Sequence, residues 1–232
     1  MKIVAIIQAR MGSVRFPGKM MATLVGRPII EWVLTRVAKA KLLDEIVLAT
    51  SFESKDDELC EFAEKAGVSF YRGSETDVLG RVRDAACSAN ATAVVRICAD
   101  NPFIDSTEID RLVRLYLDAA PDYAFNHLNK MGNGYADGFG AEILSMNLLE
   151  ELAENTNELS HREHLTLAVW SRADLLEIKT IAAPKNLAFS EMCFDIDTQE
   201  DLKRLAPIAE QVGIHGAAMA FVEKMKRVED TY

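Results

Sequence analysis

Ile3-Val4-Ala5-Ile6-Ile7, followed by Ala9-Arg10-Met11-Gly12-Ser13-Val14-Arg15-Phe16-Pro17-Gly18-Lys19, is the stretch whose reading decides the fold. The apolar run is short, β-branched and free of alternation, which predicts a parallel strand buried on both faces. The polar, Gly-containing loop then leaves the carboxyl end of that strand, where open α/β sheets hold their ligands. Gly12 and Gly18 let backbone N–H groups approach an anion, Arg10, Arg15 and Lys19 supply positive charge, and Ser13 adds a hydroxyl.

The spacing excludes two common phosphate loops. A Walker A loop has four residues between its glycines and a Ser or Thr after its Lys. Here five residues separate Gly12 from Gly18, and Met20 follows Lys19. No G-x-G-x-x-G is present either, so the dinucleotide fingerprint is absent. The loop predicts a polyphosphate held by side-chain charge.

Charge distribution supports that reading. The chain has 26 basic and 36 acidic residues and a formal charge of −10, yet residues 1–43 carry eight cations and a single acid, Glu31. A nucleic-acid binder shows a broad basic face, which this chain lacks. A focused cationic site on an acidic body suits a compact anion such as a nucleoside triphosphate.

With 232 residues, 49% of them hydrophobic, the chain can bury one large core, and a single domain over 1–232 is expected. No apolar run approaches the ~20 residues of a membrane span. The first strand starts at once, so no signal peptide is expected. Cys60, Cys87, Cys98 and Cys193 form no C-x-x-C pair, so mostly buried, reduced thiols and a cytoplasmic location are expected.

Strands and helices alternate. Pro28 opens a helix to about Lys41, and a strand follows over 45–50. A helix over 56–66 stops at Gly67, then come a strand over 68–71, a helix over 77–89 and a strand over 93–98. A helix over 107–119 and a strand over 123–125 complete a βα series that predicts a mostly parallel, three-layer α/β/α sheet. The Gly- and Asn-rich stretch 126–140 reads as a mobile lip of a site. Later segments predict strands over 141–145, 175–181 and 193–196 and a helix over 158–170. A final helix is capped by Asp197 or Thr198, and apolar residues within 219–225 serve the core or a dimer contact.

Two acids stand at strand ends on the edge that carries the first loop. Asp100 is either a turn-forming Asx residue before Asn101-Pro102 or a metal ligand. Asp197 is either a helix cap or a second ligand. A pair of carboxylates beside a triphosphate suits Mg²⁺. The loop over 72–81 could present Gly73 and Ser74 to a base edge and Arg81 to phosphate, although a capped helix accounts for most of its pattern. Asp137 and Glu142 are candidates for sugar hydroxyls, with solvation as the alternative. His161 and His164 lack a third ligand at zinc spacing; His164 suits orienting an acceptor or packing beneath its pocket.

Together these segments resemble the sugar cytidylyltransferases, most closely the branch of the spore-coat polysaccharide proteins. The matching residues are Ala9-Arg10-x-x-Ser13-x-Arg15-x-Pro17-Gly18-Lys19, Arg72-Gly73-Ser74 with Asp77-Val78-Leu79-x-Arg81, and Asp100-x-Pro102. Further on come Asp137-Gly138, Glu142, Arg162-Glu163-His164-x-Thr166 and Asp197-Thr198-x-Glu200-Asp201-Leu202. The resemblance implies a Rossmann-related, GT-A-like nucleotidyltransferase that transfers CMP from CTP to an acidic sugar and releases pyrophosphate, as a homodimer. It implies that Arg10, Arg15 and Lys19 hold the triphosphate, with Arg15, Lys19 and Asp100 catalytic, and that Asp100 and Asp197 bind Mg²⁺. Ala99 replaces a usual Gly, Gln199 a usual Pro, and Phe139-Gly140 the Leu-Asp of many relatives. The last change falls in the presumed acceptor region. A transferase for another nucleotide and a sugar or polyol phosphate, or a nucleotide-binding relative without turnover, are the alternative readings.

Overall fold

The structure is a computed structural model that describes residues 1–229. In chain order it contains β1 (Ile3–Gln8), a small hairpin of β2 (Thr23–Leu24) and β3 (Arg27–Pro28), α1 (Ile29–Val37), β4 (Glu45–Ser51), α2 (Asp57–Lys65), β5 (Ser69–Gly73) and α3 (Val78–Ser88). There follow β6 (Ala93–Cys98), α4 (Ser106–Ala119), β7 (Tyr123–Phe125), β8 (Glu142–Ser145), α5 (Met146–Asn155), α6 (Leu159–Glu163) and α7 (Leu165–Trp170). β9 (Ile178–Thr180), α8 (Gln199–Val212) and α9 (Ala218–Glu229) close the series.

One sheet of order β5-β4-β1-β6-β8-β7-β9 forms the middle layer. β8 runs antiparallel to both its neighbours, β6 and β7, and the other pairings are parallel. The buried strands alternate between two cores. Ala5 and Ile7 of β1 face the core shared with α1, α4, α8 and α9, whereas Val4 and Ile6 face that of α3, α5 and α7. Chain order reverses at β1, which leads to β4 on one side and pairs with β6 on the other. Such a reversal opens a crevice at the carboxyl ends of the two central strands. Gln8 lies opposite Cys98 there, and Ala99 N–H still donates to Gln8 O at 3.1 Å.

Several local expectations are corrected. The first helix starts at Ile29, after the hairpin, and ends at Val37. Asp110 accepts from the backbone N–H groups of Lys41 and Leu42, which draws this segment out of the helix. Helix α5 occupies 146–155, where no helix was expected; its signal is Ser145, whose hydroxyl accepts from Leu148 N–H at 3.1 Å. The helix expected over 158–170 is broken at His164, whose backbone (φ −121°, ψ 87°) is not helical. The expected strand over 193–196 is extended but makes one bridge, Asp137 to Cys193. Its alternation is that of a strand: Phe194 and Ile196 are fully buried between outward Cys193, Asp195 and Asp197.

The lip over 126–140 is pinned by asparagines. Asn126 donates to Glu108 O and accepts from Ala141 N–H, while Asn133 donates to Leu128 O and Thr180 Oγ1. Tyr135, Ala136 and Phe139 are fully buried. The cysteines are unpaired, but Cys87 and Cys193 are exposed and only Cys60 is buried, against the expectation of mostly buried thiols. No helix among the described residues is long and apolar enough to cross a membrane.

The starts of α4 and α9 are fastened by a shared cap. Asp105 accepts from Thr107 N–H at the start of α4 and from Ala218 N–H at the start of α9, both at 2.8 Å. Beside it, Arg36 is 3% exposed, and burial pulls its guanidinium down to about 10 against the opposing pull of Asp105. Asp105→Ala removes two caps and the nearest countercharge of a buried cation, so a loss of about 2–4 kcal/mol in urea unfolding is expected.

Candidate active site

The first loop is built to hold its shape without a ligand. Gly18 adopts a left-handed conformation (φ 73°), and its N–H closes the loop onto Met11 O at 3.0 Å. Phe16 and Met20 are buried and anchor the loop in the core. Below, the fully buried Asp56 accepts from Met11 N–H at 2.7 Å and from Ser51 N–H at 3.1 Å. Ser13 Oγ accepts from Phe16 N–H at 3.2 Å, setting the turn that presents Arg15.

A cleft of about 380 Å³ opens above the β1–β6 crevice. Arg10, Ser13, Arg15, Lys19, Asp100 and Asp197 all line it. Lys19 is 6% exposed, and its Nζ lies 3.5 Å from Asp100 Oδ2 and 3.2 Å from Asp197 Oδ1. Arg15 donates to the other oxygen of Asp197 at 2.7 Å. Asp197 is delivered by Ile196, whose N–H donates to Asp100 O at 2.9 Å, and by the helix start behind it. Of the two expected caps it is Thr198 that serves, in a reciprocal box with Asp201, which leaves the Asp197 side chain to the cleft. Burial pushes the Asp100 carboxyl above the ordinary range; Lys19 opposes this, and Asp197 and Asp195 add to it.

The remaining candidates separate into two groups. Arg81 and His164 also line the cleft. Arg81 is 2% exposed and donates to Ser74 O and Glu75 O; its Nε has no partner among the described residues. Burial, with Arg10 as the next cause, pulls it down to about 10. Gly12, Gly73, Ser74, Asp137 and Glu142 are not on the cleft wall. Gly12 passes beneath the Lys55–Glu75 ion pair, Gly73 lies against the Arg81 side chain, and Ser74 Oγ accepts from Asp77 N–H at 3.0 Å. Glu142, expected at sugar hydroxyls, is 1% exposed and takes donors from Arg96, Tyr123 and Thr166. Asp137 stands with Cys193 and Asp195, their carboxylate and thiol atoms within 4.8 Å of one another. Phe139-Gly140 proves to be packing: Phe139 stacks at 4.7 Å on Phe194, and a Cβ on Gly140 would fall 2.0 Å from Asn126 O.

The profile of the cytidylyltransferase family matches residues 4–228. This chain belongs to the cytidylyltransferase family. Among solved structures, a cytidylyltransferase from Leptospira borgpetersenii serovar Hardjo-bovis superposes with a TM-score of 0.90 at 30% identity, covering 99% of this chain and 96% of that one. The spore coat polysaccharide biosynthesis protein SpsF of Bacillus subtilis is 29% identical over 216 residues, 91% of this chain and 88% of that protein. A 3-deoxy-manno-octulosonate cytidylyltransferase of Bdellovibrio bacteriovorus is 38% identical over 125 residues, 51% of this chain and 47% of its own length. The protein is thus a nucleotidyltransferase.

Sequence reasoning missed two parts of the cytidylyltransferase site. One is Arg96, a cation inside the buried run Val94-Val95-Arg96-Ile97; such a residue is buried only when paired, and that was its signal. The other is the way Arg162-Glu163-His164-x-Thr166 is used. Arg162 donates to Asp77, the cap of α3, at 2.5 Å, and Glu163 accepts from Arg10 at 3.0 Å. Thr166 bonds Glu142 and Arg96, and His164 faces the cleft between them. His161 Nδ1 sits 3.5 Å from Glu158 Oε2.

Asp137 is pushed up to about 6 by burial, then by Asp195 and Asp100. Carbon-detected NMR titration should place its midpoint there. In Asp195→Asn the midpoint should fall, because removal of a neighbouring negative charge favours ionisation; an unmoved midpoint would contradict the assigned cause.

Proposed function

We propose that this cytidylyltransferase transfers CMP from CTP to an acidic sugar of the 3-deoxy-octulosonate or nonulosonate type and releases pyrophosphate, in surface polysaccharide biosynthesis. The observation that carries the reading is the meeting of Lys19, Arg15, Asp100 and Asp197 in one cleft, although they come from widely separated parts of the chain. The family, and the activities named for the octulosonate enzyme and the spore-coat protein, support the nucleotide and the acceptor class.

The donor set fits a hard divalent ion such as Mg²⁺. Asp100 and Asp197 approach from different elements and already share one cation, the Lys19 ammonium, and both present only oxygen. Asp100 and Asp197 would hold the ion, which when bound supplies Lewis-acid polarisation of phosphoryl oxygens. The chain's own groups do the rest. A sugar hydroxyl attacks the α-phosphorus in line, and the pyrophosphate leaves against Arg15 and Lys19. Arg15, with 65% of its side chain exposed, can turn from Asp197 to phosphate. Arg10 flanks the triphosphate, braced by Glu163. Because the transition state spreads charge over non-bridging oxygens, positioning and fixed positive charge supply most of the acceleration.

Arg15→Ala and Lys19→Ala should each lower pyrophosphate release about 10²–10³-fold. Asp100→Ala should cost more, and normal divalent-ion-dependent release by that variant would overturn the site. In thermal unfolding with Mg²⁺, CTP at 100 times its Kd should add about 2.7 kcal/mol, with GTP, UTP and ATP giving less. Equal stabilisation by all four would reject the CTP assignment.

A further inference from the structure

Arg96 lines the cleft, yet the triphosphate and metal reading leaves it without a task. Its guanidinium is held from three sides. Nε donates to Gln8 Oε1 at 2.8 Å, and Nη1 donates to Glu142 and to Thr166 Oγ1 at 3.0 Å. Tyr123 and Thr166 also donate to Glu142, so the carboxylate that faces Arg96 is itself immobilised. Burial disfavours charge on Arg96, but the Glu142 carboxylate paired with it offsets this and keeps the guanidinium protonated.

A guanidinium has five N–H donors. The partners of Nε and Nη1 account for three of them, and Nη2 meets only Cys98 Sγ, a weak acceptor, at 3.3 Å. The Nη2 edge is therefore the least satisfied part of a residue that is 7% exposed and opens on the cleft. Nearby charge points the same way. Arg81 is buried on the same wall, forms no ion pair among the described residues, and feels Arg10 and Arg96 against Asp56 and Asp77. Arg10 is paired with Glu163 and Arg96 with Glu142, which among the described residues leaves Arg81 as the one net positive charge on this wall that an anionic ligand would relieve.

Position narrows the anion. Arg96, Cys98 and Asp100 follow one another at alternate positions along β6 and its end. The Arg96 guanidinium reaches the level of Cys98, one side-chain repeat, about 7 Å of strand, before Asp100. A group bound there sits beside the place where the attacking hydroxyl must stand.

We propose that Arg96, held rigid by Gln8, Glu142 and Thr166, is a specificity-determining residue that binds the carboxylate of the acceptor sugar through its Nη2 edge. The acceptor is then a sugar acid whose carboxylate lies next to the attacking hydroxyl. This rests on the function proposed above and adds to it the residue that selects an acid over a neutral sugar.

The test is pyrophosphate release from CTP with 3-deoxy-manno-octulosonate and with N-acetylneuraminate, each compared with its methyl ester. On the unaltered protein the ester should raise the acceptor KM about ten- to a hundredfold. Arg96→Gln should raise the KM of the free acid by a similar factor, leave the KM of CTP within about twofold, and treat acid and ester alike. Should Arg96→Gln not fold, Cys98→Asp sets a carboxylate against Nη2 instead and should also raise the acid's KM at unchanged CTP affinity. The proposal is overturned if the acid's KM does not move in the variant that folds. It is equally overturned if acid and ester serve the unaltered protein equally, or if Arg96→Gln harms both by the same factor. If neither acid yields pyrophosphate while CTP still binds, the acceptor class itself is wrong and the role of Arg96 falls with it.

Discussion

The site depends on one buried ammonium. Lys19 is almost out of solvent, and an unpaired charge in that position would be strongly destabilising. Asp100 and Asp197 share the opposite problem, since two carboxylates brought together repel unless a cation stands between them. Each side therefore makes the other tolerable, and the contact joins the first loop to β6 and to the approach of α8. Nucleotide and metal would enter an arrangement whose positive and negative groups are already in place and need only exchange partners.

Around this centre the fold uses polar side chains as fasteners in places where the sheet gives no support. Asp56 holds the base of the first loop, Asn126 and Asn133 hold the long crossing between β7 and β8, and Thr198 with Asp201 sets the direction from which Asp197 arrives. The Arg162-Glu163-His164-x-Thr166 turn acts on three walls at once: the cap of α3, Arg10 of the first loop, and the Arg96–Glu142 pair of the floor. The chain leaves helical geometry at His164, between the residues that reach these three walls.

The parallel half was legible in the sequence because its strands are short apolar runs buried on both faces and its loops carry charge at their carboxyl ends. Ile3 to Ile7, the 45–50 run and the 93–98 run all lie within a residue of their observed bounds. The convergence of Arg15, Lys19 and Asp100 followed from that topology, whereas Asp197 arrives from an extended segment outside the sheet. Beyond 126 the signals compete. Phe194 and Ile196 alternate like a strand, but only Asp137 offers a partner; the 158–170 segment has helical character yet turns at His164. Glu142 looks like a surface acid in one dimension, and only the sheet brings Arg96 and Tyr123 to it. Arg96 was hidden for the same reason, a charge inside an apolar strand whose partner lies 46 positions away.

The contact between Gly140 and the backbone of Asn126 bears on how this loop can be exchanged. No side chain fits at 140 while Asn126 keeps its path. Phe139 and Phe194 likewise form a matched pair. A transplanted loop with a side chain at 140 would have to bring its own counterparts of Asn126 and Phe194, so a chimera must move the three segments together.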